Sequence, residues 1–194
     1  MKSSLARFIS FIFNPIILLI FVPLFLLYKV DDDLTYALTW TAYTFFFLLA
    51  MTLFIKYMVS RGVFTNMDVS KREQRPLLFG MSMVLITFYL GGLFLLDGPR
   101  ILIIITIGIM IGIILSSIIN TRLKASMHVA TISALIFALA IVYNGYYLLS
   151  LFLIPLVAWA RLKIKRHTLP ETVVGGLLGI LLSLCIYGLV KTFA

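Results

Sequence analysis

The chain has 194 residues, 62% of them hydrophobic, with a mean hydropathy of +1.14 and a formal net charge of +9. An apolar share that high excludes an ordinary soluble domain, where it is nearer half. The basic excess is therefore read as a statement about membrane sidedness, and no nucleic-acid partner is expected.

Crossing a hydrocarbon core of ~30 Å takes about 17 to 25 helical residues, and apolar runs of that size recur along the whole chain. The expectation is an all-α polytopic membrane helix bundle of about six to seven transmembrane helices. It is read as a single domain, 1–194, with a motif-bearing core over about 60–190. Barrel strands are disfavoured because Ile101 to Ile119 is an almost unbroken apolar run without alternation. The single cysteine, Cys185, lies inside the last apolar run, forms no intrachain disulfide and says nothing of redox compartment.

In chain order, span one covers about 8–28, with Pro15 and Pro23 expected to kink it. It follows Lys2 and Arg7 as the apolar part of a signal peptide would. Its length and the lack of a small-residue cleavage site favour a retained span. The acidic turn Asp31-Asp32-Asp33 leads into the aromatic-rich span two, about 34–58, and then into the longest polar stretch, loop A, from Ser60 to Pro76. Spans three (about 77–96) and four (101–119) form a hairpin through Asp97-Gly98-Pro99-Arg100. Loop B, Asn120 to His128, precedes an apolar stretch too long for one crossing, which the turn dipeptide Asn144-Gly145 divides into spans five and six. Each of these is short unless it borrows polar flank, so Ser126, His128 and Arg161 are expected near headgroup level. Loop C, Trp159 to Glu171, leads into span seven, about 171–190, where Gly175, Gly176 and Gly179 suit close helix packing. No internal repeat or low-complexity linker is present.

Seven crossings place loops A, B and C on one face. That face carries thirteen cations against Asp68, Glu73 and Glu171, whereas the other has Lys29, Arg100 and Lys191 against Asp31, Asp32, Asp33 and Asp97. The positive-inside rule then predicts that the three loops are cytoplasmic.

Chemistry concentrates in these loops. His128 and His167 are the two histidines of the chain, and each lies at the mouth of a span. Glu171, four residues after His167, can hydrogen-bond one ring nitrogen and aim the other at a substrate. Thr168-Leu169-Pro170-Glu171 equally matches a capping box with proline in the first turn, and the two roles are compatible. Arg161 has the planar fork that grips phosphate, while Lys163, Lys165 and Arg166 read as interfacial cations facing anionic headgroups. If Lys124 and His128 begin span five, they share a helix face at i, i+4, next to Ser126 and the free N–H groups of a helix N-terminus. Loop A adds Lys71, Arg72 and Arg75, which taken alone fit an ordinary basic loop.

Together the three loops resemble the type-2 phosphatidic acid phosphatase superfamily of membrane lipid phosphatases. That family has a lysine six residues before Arg-Pro, then Pro-Ser-Gly-His, then Ser-Arg, five residues, His, three residues, Asp. Arg75-Pro76 matches the end of the first block, and Ala125-Ser126-Met127-His128 matches the second at Ser and His. Ala160-Arg161, His167 and Glu171 match the spacing of the third, so the resemblance covers about 68–179. Asp68 stands where the family has its lysine, Met127 where it has glycine, and Glu171 where it has aspartate. Lys71, Arg72 or Lys124 would have to replace the lysine's phosphate contact.

The resemblance implies a phosphohistidine on His167, oriented by Glu171, with His128 protonating the leaving oxygen. Arg75, Arg161 and Ser126 would bind the phosphate, and neither a metal nor a cofactor would be required. Membrane lipids and a lipid phosphate or polyprenyl (di)phosphate substrate are the expected partners. The family's catalytic face is often external, in tension with the charge count.

The alternative is a non-catalytic relative that binds anionic lipid or a phosphorylated ligand, motivated by Asp68 and Met127. An intramembrane prenyltransferase is faintly suggested by Asp68 with Arg75-Pro76-Leu77. It needs two aspartate-rich loops, and loops B and C have no aspartate. A transporter without catalysis is a further reading, although the charge sits in loops rather than in mid-span.

Overall fold

The computed structural model describes residues 2–142 and 144–193. It is all-α, with no strand among the described residues. The helices are α1 (Lys2–Ile12), α2 (Pro15–Asp31), α3 (Leu34–Ser60), α4 (Arg75–Leu95), α5 (Arg100–Asn120), α6 (Met127–Val142), α7 (Leu153–Lys163) and α8 (Leu169–Phe193). Short 3-10 segments, Arg72–Gln74 and Gly145–Phe152, precede α4 and α7.

Six stretches are long and apolar enough to cross a membrane: Ser3–Asp31, Leu34–Ser60, Arg72–Leu95, Arg100–Asn120, Gly145–Lys163 and Leu169–Gly188. A shorter apolar helix covers Met127–Ile141. The protein is a multi-pass integral membrane protein.

Two boundaries differ from the sequence expectation for physical reasons. Span one is two helices, because Pro15 lacks the N–H to continue α1 and Asn14 restarts the chain by accepting from Ile16 N at 2.9 Å. Span six begins as a 3-10 helix, capped by the Asn144 side chain on Tyr146 N. The higher 3-10 rise lets these 19 residues reach about 32 Å, against about 28 Å if wholly α-helical.

The chain forms two compact units. The second, residues 19–122, has a core of Leu27, Ala37, Trp40, Tyr89, Leu93 and Leu102. Its α3 and α4 are joined by the Tyr43 hydroxyl donating to Tyr89 O at 3.0 Å. Side chains knit loop A together: Gln74 accepts from Thr65 N and Oγ1 and donates to Val63 O, while Asn66 Oδ1 accepts from Ser70 Oγ.

The first unit comprises residues 1–18 and 123–194. Ala6 and Ile9 of α1, Val129, Ile132 and Ile136 of α6, and Val157 and Ala160 of α7 make its core. Its tightest seam runs between α6 and α8, where a Cβ on Gly179 would collide with Ala130 O and one on Gly175 would lie 2.5 Å from Ser126 O. Without these glycines the two backbones could not approach. The close packing expected of the glycine patch is thus realised, and Ser183 Oγ adds a hydrogen bond to Ala134 O across the same seam.

Candidate active site

His167 is placed by the end of one helix and the start of the next. Helix α7 closes with Arg166 N donating to Arg161 O and Lys165 N to Leu162 O, both at 3.0 Å, and Lys165 takes a left-handed φ of 56°. This is a Schellman turn with lysine where glycine is usual. It brings the chain after Arg161 back to the arginine's own backbone. The five intervening residues of the third block therefore have a structural meaning.

Two residues on, α8 begins. Glu171 Oε2 accepts from Thr168 N at 3.1 Å and lies 2.8 Å from His167 Nδ1. One carboxylate oxygen thus serves both the helix cap and the imidazole, as the paired sequence readings anticipated. A carboxylate can only accept, so Nδ1 carries the proton and Nε2 the lone pair when the ring is neutral. The His167 side chain is almost fully buried and Glu171 is 17% exposed.

Loop B packs on the same turn. Ser126 N donates to Glu171 O at 2.9 Å, and Ser126 O accepts from Ala130 N, which makes Ser126 the N-cap residue of α6. Its side-chain hydroxyl is fully buried and has no hydrogen-bond partner among the described residues. Because α6 starts at Met127, the expected helical i, i+4 relation of Lys124 and His128 is not formed. Lys124 instead precedes the helix, where Nζ donates to Arg166 O at 2.9 Å and stands 3.9 Å from Glu171 Oε2. A cation therefore flanks the carboxylate that orients His167, from a position that helix periodicity could not foretell.

Arg161 is 2% exposed. Its Nη1 lies 3.5 Å from His128 Nε2 and donates to Ser10 Oγ of α1 at 2.6 Å. The first unit thus brings together His128, Arg161 and Ser10 on one side, and His167, Glu171, Lys124 and Ser126 around the start of α8. Of the three expected interfacial cations, Lys163 and Lys165 are exposed and Arg166 is half-buried.

The loop A candidates belong to the second unit. Arg75 is buried in the first turn of α4, with Nε donating to Val69 O at 3.4 Å. Arg72 Nη1 donates to Arg122 O at 3.2 Å, Asn120 Nδ2 donates back to Arg72 O, and Lys71 is exposed. The Arg72 contacts tie loop A to the end of α5.

Ser10 was missed by sequence reasoning. A lone serine in an apolar N-terminal helix carries no spacing signal, and its partner is 151 residues away. Gly175 was legible as packing, though not as the residue that lets Ser126 reach the start of α8.

Among the described residues, no group of three or more His, Cys, Asp or Glu side chains could hold a metal ion. No protein-family model matches the sequence, and no significant match was found among curated proteins or solved structures.

Proposed function

We propose that the protein removes phosphate from a membrane lipid phosphate or polyprenyl (di)phosphate through a phosphohistidine, as the resemblance to the type-2 phosphatidic acid phosphatases implies. The observation that carries this reading is the 2.8 Å contact of His167 Nδ1 with Glu171 Oε2. It prepares a buried imidazole as a nucleophile through Nε2.

In the proposed step the Nε2 lone pair of His167 attacks phosphorus as the bond to the lipid oxygen breaks. Arg161 and the Ser126 hydroxyl take charge developing on the equatorial oxygens, and His128 protonates the leaving oxygen. An oxygen entering beside Arg161 replaces His128 Nε2 as the guanidinium's acceptor, which leaves that nitrogen to carry the proton. Water then attacks the phosphohistidine, gives its proton to His128, and releases phosphate and free His167. Positioning and cationic stabilisation supply most of what phosphoryl transfer needs, so the scheme does not call on a metal.

The lysine absent at position 68 leaves Lys124 as the cation beside the catalytic turn, supported by its contacts to Arg166 O and Glu171. The share of the Arg75 block is measured by Arg75→Ala, read as kcat and KM beside the melting temperature. The short α6 and the place of Arg161 in the last turn of α7 favour a site at headgroup depth, which suits a substrate whose tail remains in lipid. The charge bias of the loops favours a cytoplasmic site.

The test is a phosphate-release screen over phosphatidate, phosphatidylglycerophosphate and polyprenyl (di)phosphates with EDTA present. Wild-type protein should release phosphate from at least one, and His167→Ala and His128→Ala should lose at least about 10²-fold in rate. Full activity in His167→Ala would overturn the mechanism. Binding without turnover that survives His167→Asn would instead establish the non-catalytic reading.

A further inference from the structure

Among the described side chains of helix α1, one polar residue, Ser10, is buried. Ala6, Ile9 and Ser10, spaced i, i+3, i+4, are buried, and Ala6 and Ile9 join the core that Val157 and Ala160 of α7 share. Leu5, Phe8, Phe11 and Ile12 are exposed. In an integral membrane protein such an apolar face belongs in lipid. The break at Phe13-Asn14-Pro15 frees α1 from the direction of α2, so Ser10 is set by its packing on α7.

The hydrogen bonding of Ser10 differs from that of the hydroxyls that bond within their own helix. Thr39, Thr41, Thr44, Thr52, Ser82, Thr87 and Thr106 each donate to the carbonyl four residues back. Ser10 accepts from Arg161 Nη1 at 2.6 Å, and its O–H donates to no described residue. A buried hydroxyl bonded to a guanidinium through oxygen alone keeps a donor unspent, and satisfying it is worthwhile only with an acceptor. The buried Ser126 and Ser133 hydroxyls are likewise without a partner among the described residues of this unit, and of these Ser126 lies at the start of α6 beside the His167 turn.

We propose that Ser10 is an anion-contacting residue of the Arg161 site: its oxygen holds the guanidinium, and its hydrogen donates to a phosphate oxygen gripped by that arginine. The N-terminal helix is then part of the binding site, brought there by a face that lies in lipid. This rests on the reading of Arg161 as a phosphate ligand given above. The ligand chemistry is a tetrahedral oxyanion, whether lipid-borne or free.

The experiment titrates the purified full chain in detergent with orthovanadate and with a short-chain phosphatidate. Ser10→Ala should weaken both about tenfold or more, the loss of one hydrogen bond to a charged ligand. Ser10→Thr, which keeps the hydroxyl, should retain wild-type affinity with a melting temperature without ligand close to wild type. In an Arg161→Ala background, Ser10→Ala should cost nothing further. Ser10→Cys keeps the size but gives a poor donor, and should reproduce the loss in a folded protein even where alanine disturbs α1. Binding in Ser10→Ala and Ser10→Cys within twofold of wild type, while Arg161→Ala abolishes it, would overturn the role of Ser10 alone. Undiminished binding in Arg161→Ala would overturn the anion site and the Ser10 proposal with it. Loss of phosphatidate binding with vanadate unchanged would assign Ser10 to the lipid tail's path and likewise overturn the contact.

Discussion

At the scale of single residues, Glu171 serves two purposes with one carboxylate oxygen. The same oxygen caps α8 at Thr168 N and meets His167 Nδ1, with Lys124 Nζ 3.9 Å away. These duties separate on substitution. In Glu171→Gln the amide oxygen can still cap the helix, so stability should fall by no more than about 1 kcal/mol. It cannot stabilise the charge that develops on the attacking imidazole, so phosphate release should fall by about 10²-fold or more. Initial rates and thermal melts of the same preparation check this, and equal losses in both would assign Glu171 to the fold alone. The His167–Glu171 pair was legible because four-residue spacing within a capping sequence fixes a local contact. The Ser10–Arg161 bond depends on tertiary packing and left no local trace.

At the scale of elements, the α6–α8 seam holds loop B against the turn that carries His167. Gly179→Val puts side-chain atoms where Ala130 O lies, so the helices must separate, at a cost of about 1–3 kcal/mol or more. Gly176→Ala is the control, since its Cβ would meet Ser133 Oγ and Val129 at an ordinary 3.7 Å. The valine variant should melt markedly lower in detergent while the alanine variant stays near wild type; matched melting temperatures would show that the seam does not limit stability. The helices themselves were readable from hydropathy because lipid demands long apolar runs with every backbone group satisfied internally. Their fine form was not. The 3-10 opening of span six and the restart at Asn14 answer length and capping demands that a hydropathy window averages away. Lys124 fell outside the helix for a similar reason: Ser126, rather than Lys124, supplies the N-cap.

At the scale of the molecule, a basic excess on the loops bearing the site is the basis for a cytoplasmic orientation. In a Cys185→Ser background, Lys163→Cys should react with a membrane-impermeant maleimide only from the cytoplasmic side, and Tyr146→Cys, 80% exposed, only from the opposite side. The reverse pattern would show that these cations serve an anionic substrate rather than topology. The central claim is more local than orientation: His167 becomes phosphorylated. It is tested most directly by rapid acid-free quench of the detergent-solubilised protein mixed with labelled lipid phosphate and EDTA. The account predicts a base-stable, acid-labile phosphoenzyme that forms in wild type and is absent from His167→Ala. Phosphate release with no such species, or the same species in His167→Ala, would contradict it.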